Sequence, residues 1–196
     1  MRHDDKPRCA WADSAPDFPH YHDTEWGFPV DNDQRLFEKL CLETFQSGLS
    51  WRTILSKREN FRLAFQQFDF NKVAQFGEKE VADLLNNGGI VRNKRKILAV
   101  INNAKRAQEM VEQEGSLAAF IWRYEPDENS LPPPETQTTS EESIALAKAL
   151  KKRGWQFVGP TTIYAFMQSM GLINDHAKDC FMRKEIDQAR REFMRP

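Results

Sequence analysis

Apolar positions along this chain recur at intervals of three and four residues almost throughout, the spacing that lines one face of an α-helix. Leu36, Phe37, Leu40 and Cys41 form such a stripe behind Asp33, which stands in the N-cap place. Ser50 can cap a second helix running from Trp51 through Ile54 and Leu55. Ile97, Val100, Ile101 and Ala104 repeat the pattern, as do Ile163, Phe166, Met167 and Met170. TSEESIALAKALKKRG, residues 139–154, predicts a helix begun by Ser140, with acids in its first turn, bases in its last and Gly154 as its stop. No stretch shows the sustained alternation of a strand. The expected fold class is all-α.

One segment interrupts the periodicity. Glu125 to Thr139, EPDENSLPPPETQTT, holds four prolines and reads as a loop or surface excursion. It separates a long N-terminal helical part from a shorter C-terminal helix pair. Residues 183–196, RKEIDQARREFMRP, are charged and predict a terminal helix or a frayed tail.

Composition changes this picture little. With 196 residues, 40% apolar and 29% charged, the chain can bury a sizeable core. A net charge of −1 supplies no overall pull toward nucleic acid, so any such case rests on local motifs. No apolar run is long enough to span a bilayer, and MRHDDKPRC carries no signal-peptide core, so a cytoplasmic location and no membrane partner are expected. Three cysteines are too few for a disulfide scaffold, which leaves reduced thiols available to a metal.

Two Cys/His pairs sit at opposite ends of the chain: Cys9 with His22, and His176 with Cys180. His-x3-Cys puts both side chains on one face if that segment is helical, whereas Cys9 and His22 could join them only through the fold. Two thiolates and two imidazoles make a complete tetrahedral set for zinc. Against this stands the ordinary fate of a lone Cys or His, which is to be packed or solvated.

Three further groups could carry chemistry. Glu43 follows Leu36 and Leu40 by seven and three residues, so it projects from the apolar face of its helix and needs a partner there, unless the helix end emerges into solvent. Gly48 allows a turn just beyond it, and Trp51 opens the next helix. A carboxylate and an indole beside one turn suit a flat polar ring, although most tryptophans are simply core. Next, Gly159-Pro160-Thr161-Thr162 lies between two helices, with Lys148, Lys151, Lys152 and Arg153 on the approach. Free N–H groups past the proline, the two hydroxyls and these bases resemble a helix-hairpin-helix element gripping a DNA backbone, with a long turn. Gly-Pro also serves merely to start helices. Finally, Arg92, Lys94, Arg95 and Lys96 form a basic run that is either a solvated face or a phosphate contact.

Taken together, Cys9-Ala10-Trp11, Tyr21-His22-Asp23-Thr24-Glu25-Trp26-Gly27, Leu42-Glu43-Thr44-Phe45-Gln46-Ser47-Gly48-Leu49-Ser50-Trp51, Arg58-Glu59-Asn60-Phe61 and Asn174-Asp175-His176 closely resemble the DNA-3-methyladenine glycosylase I family over roughly residues 8–180. The resemblance implies a helix-hairpin-helix glycosylase fold acting as one unit over 1–196. Residues 1–32 and 171–196 would form a zinc-binding lobe, and 33–170 a helical body with the hairpin at about 140–170. It implies one structural zinc held by Cys9, His22, His176 and Cys180. Tyr21, Glu43, Trp51 and Trp11 would form the base pocket, with Glu43 the catalytic candidate, and Leu49 would plug the gap left in the duplex. Gly159, Thr161, Thr162 and Lys152 remain the candidate backbone contacts. The family does without the aspartate that helix-hairpin-helix glycosylases generally carry after the hairpin. Asp175 falls in that stretch and, adjoining His176, is expected to orient the metal end.

The implied activity is flipping and hydrolytic release of 3-methyladenine from alkylated double-stranded DNA, with 3-methylguanine a candidate second substrate and a monomer the default state. A zinc hydrolase or deaminase is disfavoured because HExxH and H-x-E…P-C-x-x-C are both missing. A non-catalytic, zinc-stabilised helix-hairpin-helix DNA-binding protein is the other reading, but it has no need of an inward-facing acid beside Trp51.

Overall fold

The computed structural model describes residues 6–127 and 130–196. Residues 1–5, the start of the segment read for a leader, and Glu128 and Asn129 of the proline-rich stretch lie outside them. The helices are α1 (Phe18–Thr24), α2 (Asp33–Gln46), α3 (Trp51–Ser56), α4 (Arg58–Ala64), α5 (Phe70–Val73), α6 (Glu78–Asn86), α7 (Lys94–Glu114), α8 (Leu117–Ile121), α9 (Glu141–Lys152), α10 (Pro160–Ser169) and α11 (Arg183–Glu192). Short 3₁₀ turns occupy Ala10–Asp13, Gln66–Phe68 and Trp122–Tyr124. There is no strand among the described residues.

Capping explains most of the boundaries. Ser50 begins α3 as expected, its hydroxyl accepting from the Thr53 amide at 3.3 Å. Ser140 begins α9 in a reciprocal box with Ser143, at 3.1 and 2.8 Å. At α2 the cap is Asn32 rather than Asp33: the Asn32 side chain accepts from the Arg35 amide at 3.0 Å. Asp33 is the first helical residue, and its carboxylate crosses to the Ala118 amide at 2.9 Å, tying α2 to the start of α8.

The apolar stripe on α2 predicts a half-buried helix. Instead α2 is buried over most of its circumference, Lys39, Glu43 and Thr44 included, because α7, α8, α10 and the 3₁₀ turn at 66–68 all pack against it. The polar side chains of Lys39, Glu43 and Thr44 therefore lie inside the molecule. α7 contributes the predicted Ile97, Val100 and Ala104 to the core. It also holds the turn between α9 and α10: Asn102 donates to Gly154 O at 2.8 Å, and Asn103 brackets Gln156 through its amide N (2.8 Å) and carbonyl O (3.0 Å).

The charged tail takes the helical alternative: α11 spans Arg183–Glu192, exposed on most of its surface but anchored on one face. α11 buries Ile186 and Arg190, one turn apart. Arg190 donates to Gly171 O and, at 3.0 Å, to Glu125, which Arg195 also engages at 2.8 Å. Gly171 must be glycine: its φ is +79°, and a Cβ there would lie 2.4 Å from Pro29 N. Replacing Gly171 by Ala should lower stability by at least about 1–3 kcal/mol. An unchanged urea midpoint for Gly171→Ala would contradict this close approach.

Candidate active site and metal centre

Residues far apart in sequence converge where the chain ends meet. Cys9 precedes the first 3₁₀ turn, His22 lies in α1, and His176 and Cys180 lie between α10 and α11. Their donor atoms all fall within 4.8 Å of one another, all four residues are buried, and the set could hold a metal ion. Cys9 Sγ is 3.6 Å from His176 Nδ1, while Cys180 Sγ is 3.4 Å from that nitrogen and 3.5 Å from His22 Nε2. The His-x3-Cys segment is a turn, not a helix, closed by the Cys180 amide donating to Ala177 O at 3.0 Å.

The other ring nitrogens are already committed. His22 Nδ1 donates to Asp23 at 2.7 Å, and Arg8 grips the same carboxylate at 2.7–3.0 Å. His176 Nε2 donates to Trp26 O at 3.1 Å. One unprotonated nitrogen per ring is thus directed to the cluster, the usual arrangement around a metal. Burial pushes the Cys9 thiol up to about 12 and His176 down to about 4. Both shifts favour the uncharged forms of Cys9 and His176. Gly27, with φ +90°, leaves room for His176: a Cβ there would sit 3.1 Å from Nε2.

Beside this cluster opens a pocket of about 380 Å³. Trp11, Tyr21, Glu43 and Trp51, the predicted base-pocket residues, all line it. Trp11 stands edge-on to Trp26 (5.0 Å) and His22 (5.3 Å), and Tyr21 is tilted against Trp51 at 5.5 Å. Trp51 Nε1 is buried without a partner, a donor that a ligand or water can satisfy.

Lys39 was not among the expected site residues. It lies one turn before Glu43 on α2, and its Nζ is 3.0 Å from Glu43 Oε1, 2.8 Å from the Tyr21 hydroxyl and 3.5 Å from the centroid of the Trp51 ring. Burial pulls its pKa down, but the charges and hydrogen bonds of Glu43 and Tyr21 outweigh that and leave it raised. Burial raises the Tyr21 phenol in turn. The only sequence signal was the four-residue spacing of a lysine and a glutamate on one helix, common on solvated faces.

The proline-rich segment is more than a surface excursion, since Glu135 and Gln137 form part of the pocket wall. Asp175 holds it there, accepting from the Glu135 amide at 2.9 Å and from Gln168 at 2.6 Å. Asp175 is therefore a strut for this wall, and Asp23 is the carboxylate that orients a histidine of the cluster. Asp175 sits between the two because residues 130–139 return to α10, a contact that adjacency to His176 gave no hint of.

The remaining candidates lie away from the pocket. Leu49 is 42% exposed in the turn after α2. That turn is braced by Lys96, whose buried ammonium donates to Phe45 O (2.8 Å) and Ser47 O (2.5 Å). The basic run thus divides: Arg92, Lys94 and Arg95 are exposed, while Lys96 neutralises a helix C-terminus. Gly159 caps α10, Thr161 is exposed and Thr162 half-buried on its first turn, and Lys152 is exposed at the end of α9.

Comparison with known proteins identifies this arrangement. Residues 11–184 match the methyladenine glycosylase family model. The chain belongs to the methyladenine glycosylase family. It is 45% identical over 177 residues to the DNA-3-methyladenine glycosylase of Haemophilus influenzae, covering 88% of this chain and 96% of that one. It is 44% identical over 177 residues to DNA-3-methyladenine glycosylase 1 of Escherichia coli, covering 88% and 95%. Its fold matches a crystal structure of a tyrosine-to-phenylalanine variant of 3-methyladenine DNA glycosylase I in complex with 3-methyladenine. There the TM-score is 0.82 and the identity 33%, over 89% of this chain and 96% of that one.

In this methyladenine glycosylase the corner carrying Tyr21 and Trp26 is fastened to the segment after Trp51 by one ion pair. Arg58 donates to both Glu25 oxygens, at 2.6 and 2.8 Å. Burial raises the Glu25 carboxyl, but Arg58 outweighs it and holds the group below its usual range. A depressed carboxylate contributes stability that is complete above its unfolded value and lost as pH falls through the folded one. Urea midpoints should therefore fall more steeply below about pH 4.5 in the wild type than in Glu25→Gln. Parallel acid limbs would remove Glu25 from this role.

Proposed function

We propose that this chain is a DNA-3-methyladenine glycosylase that flips the damaged nucleotide out of alkylated double-stranded DNA and hydrolytically releases the base. The observation that carries the reading is the convergence of Glu43, Trp51, Tyr21 and Trp11 on one pocket wide enough for a purine. The curated relatives from two bacteria bear that activity in their names, and a solved relative was obtained with 3-methyladenine bound.

A base inside a duplex is out of reach, so unstacking comes first and costs a few kcal/mol, less for an alkylated base. N3-alkylation leaves the purine positively charged while it is joined to deoxyribose, which makes it a good leaving group. The C1′–N9 bond breaks with its electrons going to the ring, water supplies oxygen to C1′, and the base leaves neutral. In this reading Glu43 accepts hydrogen bonds from the polar edge of the purine, Trp51 stacks on it, and Tyr21 and Trp11 close the walls. A buried acceptor discriminates because a base lacking the matching donor leaves it unpaired. The exposed Leu49, braced through Lys96, would fill the space vacated in the duplex. The α9–α10 pair would serve as the helix-hairpin-helix grip, with Lys152, the Gly159 and Thr161 amides and the Thr161 and Thr162 hydroxyls on phosphate.

The metal in this reading is one structural zinc on Cys9, His22, His176 and Cys180. A tetrahedral ion with sulfur at about 2.3 Å and nitrogen at about 2.0–2.1 Å sets sulfur and nitrogen about 3.6 Å apart. Three of the four thiol–imidazole separations are 3.4, 3.5 and 3.6 Å. Zinc bound by four protein groups contributes folding free energy and offers no position for a reacting water.

Two measurements test this. Chromatography of methylated DNA treated with the protein should detect free 3-methyladenine, and Glu43→Gln should lower its release by about 10²–10⁴-fold with zinc content unchanged. Undiminished release by Glu43→Gln would take that residue out of the pocket chemistry. Elemental analysis should find one zinc per chain, absent from His176→Ala, whose melting temperature should drop. A fully stable, metal-free wild type would overturn the zinc.

A further inference from the structure

We infer that Arg95, in the first turn of α7, is a further contact to the DNA backbone, set between the Leu49 turn and the turn joining α9 to α10. This rests on the glycosylase reading above. α7 is attached to both of those turns. Lys96 holds the first, donating to Phe45 O at 2.8 Å and Ser47 O at 2.5 Å. Its neighbour Arg95 faces the second, with its guanidinium carbon 5.9 Å from the centroid of the Phe157 ring. Further along α7, Asn102 and Asn103 hold Gly154 and Gln156 of that same turn. Phe157 has φ +56°, a left-handed conformation that is strained for an aromatic residue and persists because α7 grips its neighbours. Gly159, at the start of α10, follows two residues later.

The charges at this end of α7 are not those of an ordinary solvated helix face. Arg92, Lys94 and Arg95 are all exposed, and none has an ion-pair partner among the described residues. Arg106, three turns further along the same helix, is paired with Glu109 at 2.9 Å. Arg62 is paired with Glu38 and Glu59, and Arg123 and Arg153 share Glu114. In a chain of net charge −1, the start of α7 is therefore a local concentration of uncompensated positive charge. The Phe157 ring supports one side of the Arg95 guanidinium, and no N–H of that group has a hydrogen-bond partner among the described residues. A strand that receives Leu49 at its vacated base and is gripped at Gly159 and Thr161 passes between the two turns. Arg95 is the cation placed there, with its donors free for phosphate oxygens.

The test is the salt dependence of binding to a labelled duplex carrying a non-cleavable abasic-site analogue, followed by fluorescence anisotropy. Each phosphate contact contributes about 0.9 to the slope of log affinity against log salt. Arg95→Gln should lower the slope by about that amount and weaken binding several-fold at low salt. Arg95→Lys, which keeps the charge, should hold the slope to within about 0.3 of the wild type. An Arg95 that merely pinned Phe157 would weaken binding alike at every salt concentration, so an unchanged slope in Arg95→Gln would overturn the proposal. Lys72→Gln controls for net charge. It removes an exposed cation from α5, whose Asn71 meets Gln108 of α7 about 20 Å along that helix from Arg95. A slope change in Lys72→Gln as large as that in Arg95→Gln would equally overturn a local contact. Base release by the wild type is scored separately on methylated DNA: no release defeats the glycosylase reading, whereas release with an unchanged slope in Arg95→Gln defeats only the role of Arg95.

Discussion

The ends of this chain must meet before its pocket can exist. Cys9 and His176 are 167 residues apart, and between them they bring together the segment with Trp11, Tyr21 and Trp26 and the segment with Asp175. Closing a loop of that length costs on the order of 4–5 kcal/mol in chain entropy. Two buried thiols and two buried imidazoles are a poor source of it by themselves, since they are costly to desolvate and only weakly hydrogen-bonded. The structural zinc proposed above, at roughly 10–16 kcal/mol in small zinc-binding peptides, would exceed that cost. Asp23, Arg8 and the Trp26 carbonyl orient the two rings in advance, so the closure is specific. In this account the cluster builds the site and takes no part in the bond cleavage.

The second constraint is the depth at which α2 is buried. A helix packed on most of its circumference cannot leave a charge in its last two turns in water, so Lys39 and Glu43 must satisfy each other. Their pairing restricts the Glu43 carboxylate and presses an ammonium onto the face of Trp51. Such a pair adds little net stability. Its value lies in pre-organisation: a fixed acceptor and a fixed charge beside the ring to be recognised.

Much of this was legible in the sequence, for identifiable reasons. Helices with clean periodicity and a serine cap, such as those begun by Ser50 and Ser140, form where expected because cap and stripe agree. The four metal-cluster residues stood out because their chemistry is rare and paired. What was not legible depended on tertiary neighbours. Asn32 and Asp33 are equally good caps by type, and only the Ala118 amide decides that Asp33 points elsewhere. Residues 130–139 have no periodicity, so nothing foretold that Glu135 and Gln137 would wall the pocket. Lys39 looks like an ordinary solvated lysine until α7, α8 and α10 enclose its helix. Arg190 likewise lies in a run of charges that suggests a tail, yet it reaches Gly171 and Glu125 inside the fold.

The central claim is that closing the chain ends against α2 makes a receptor for a 3-methylated purine with Glu43 at its polar edge. The most direct test is a crystal structure of the protein with free 3-methyladenine bound. The account predicts the purine in the pocket beside Tyr21, stacked on Trp51, with its nitrogen edge within about 3 Å of the Glu43 carboxylate and Lys39 still on Oε1. A purine bound elsewhere, or one in the pocket with no contact to Glu43, would contradict it.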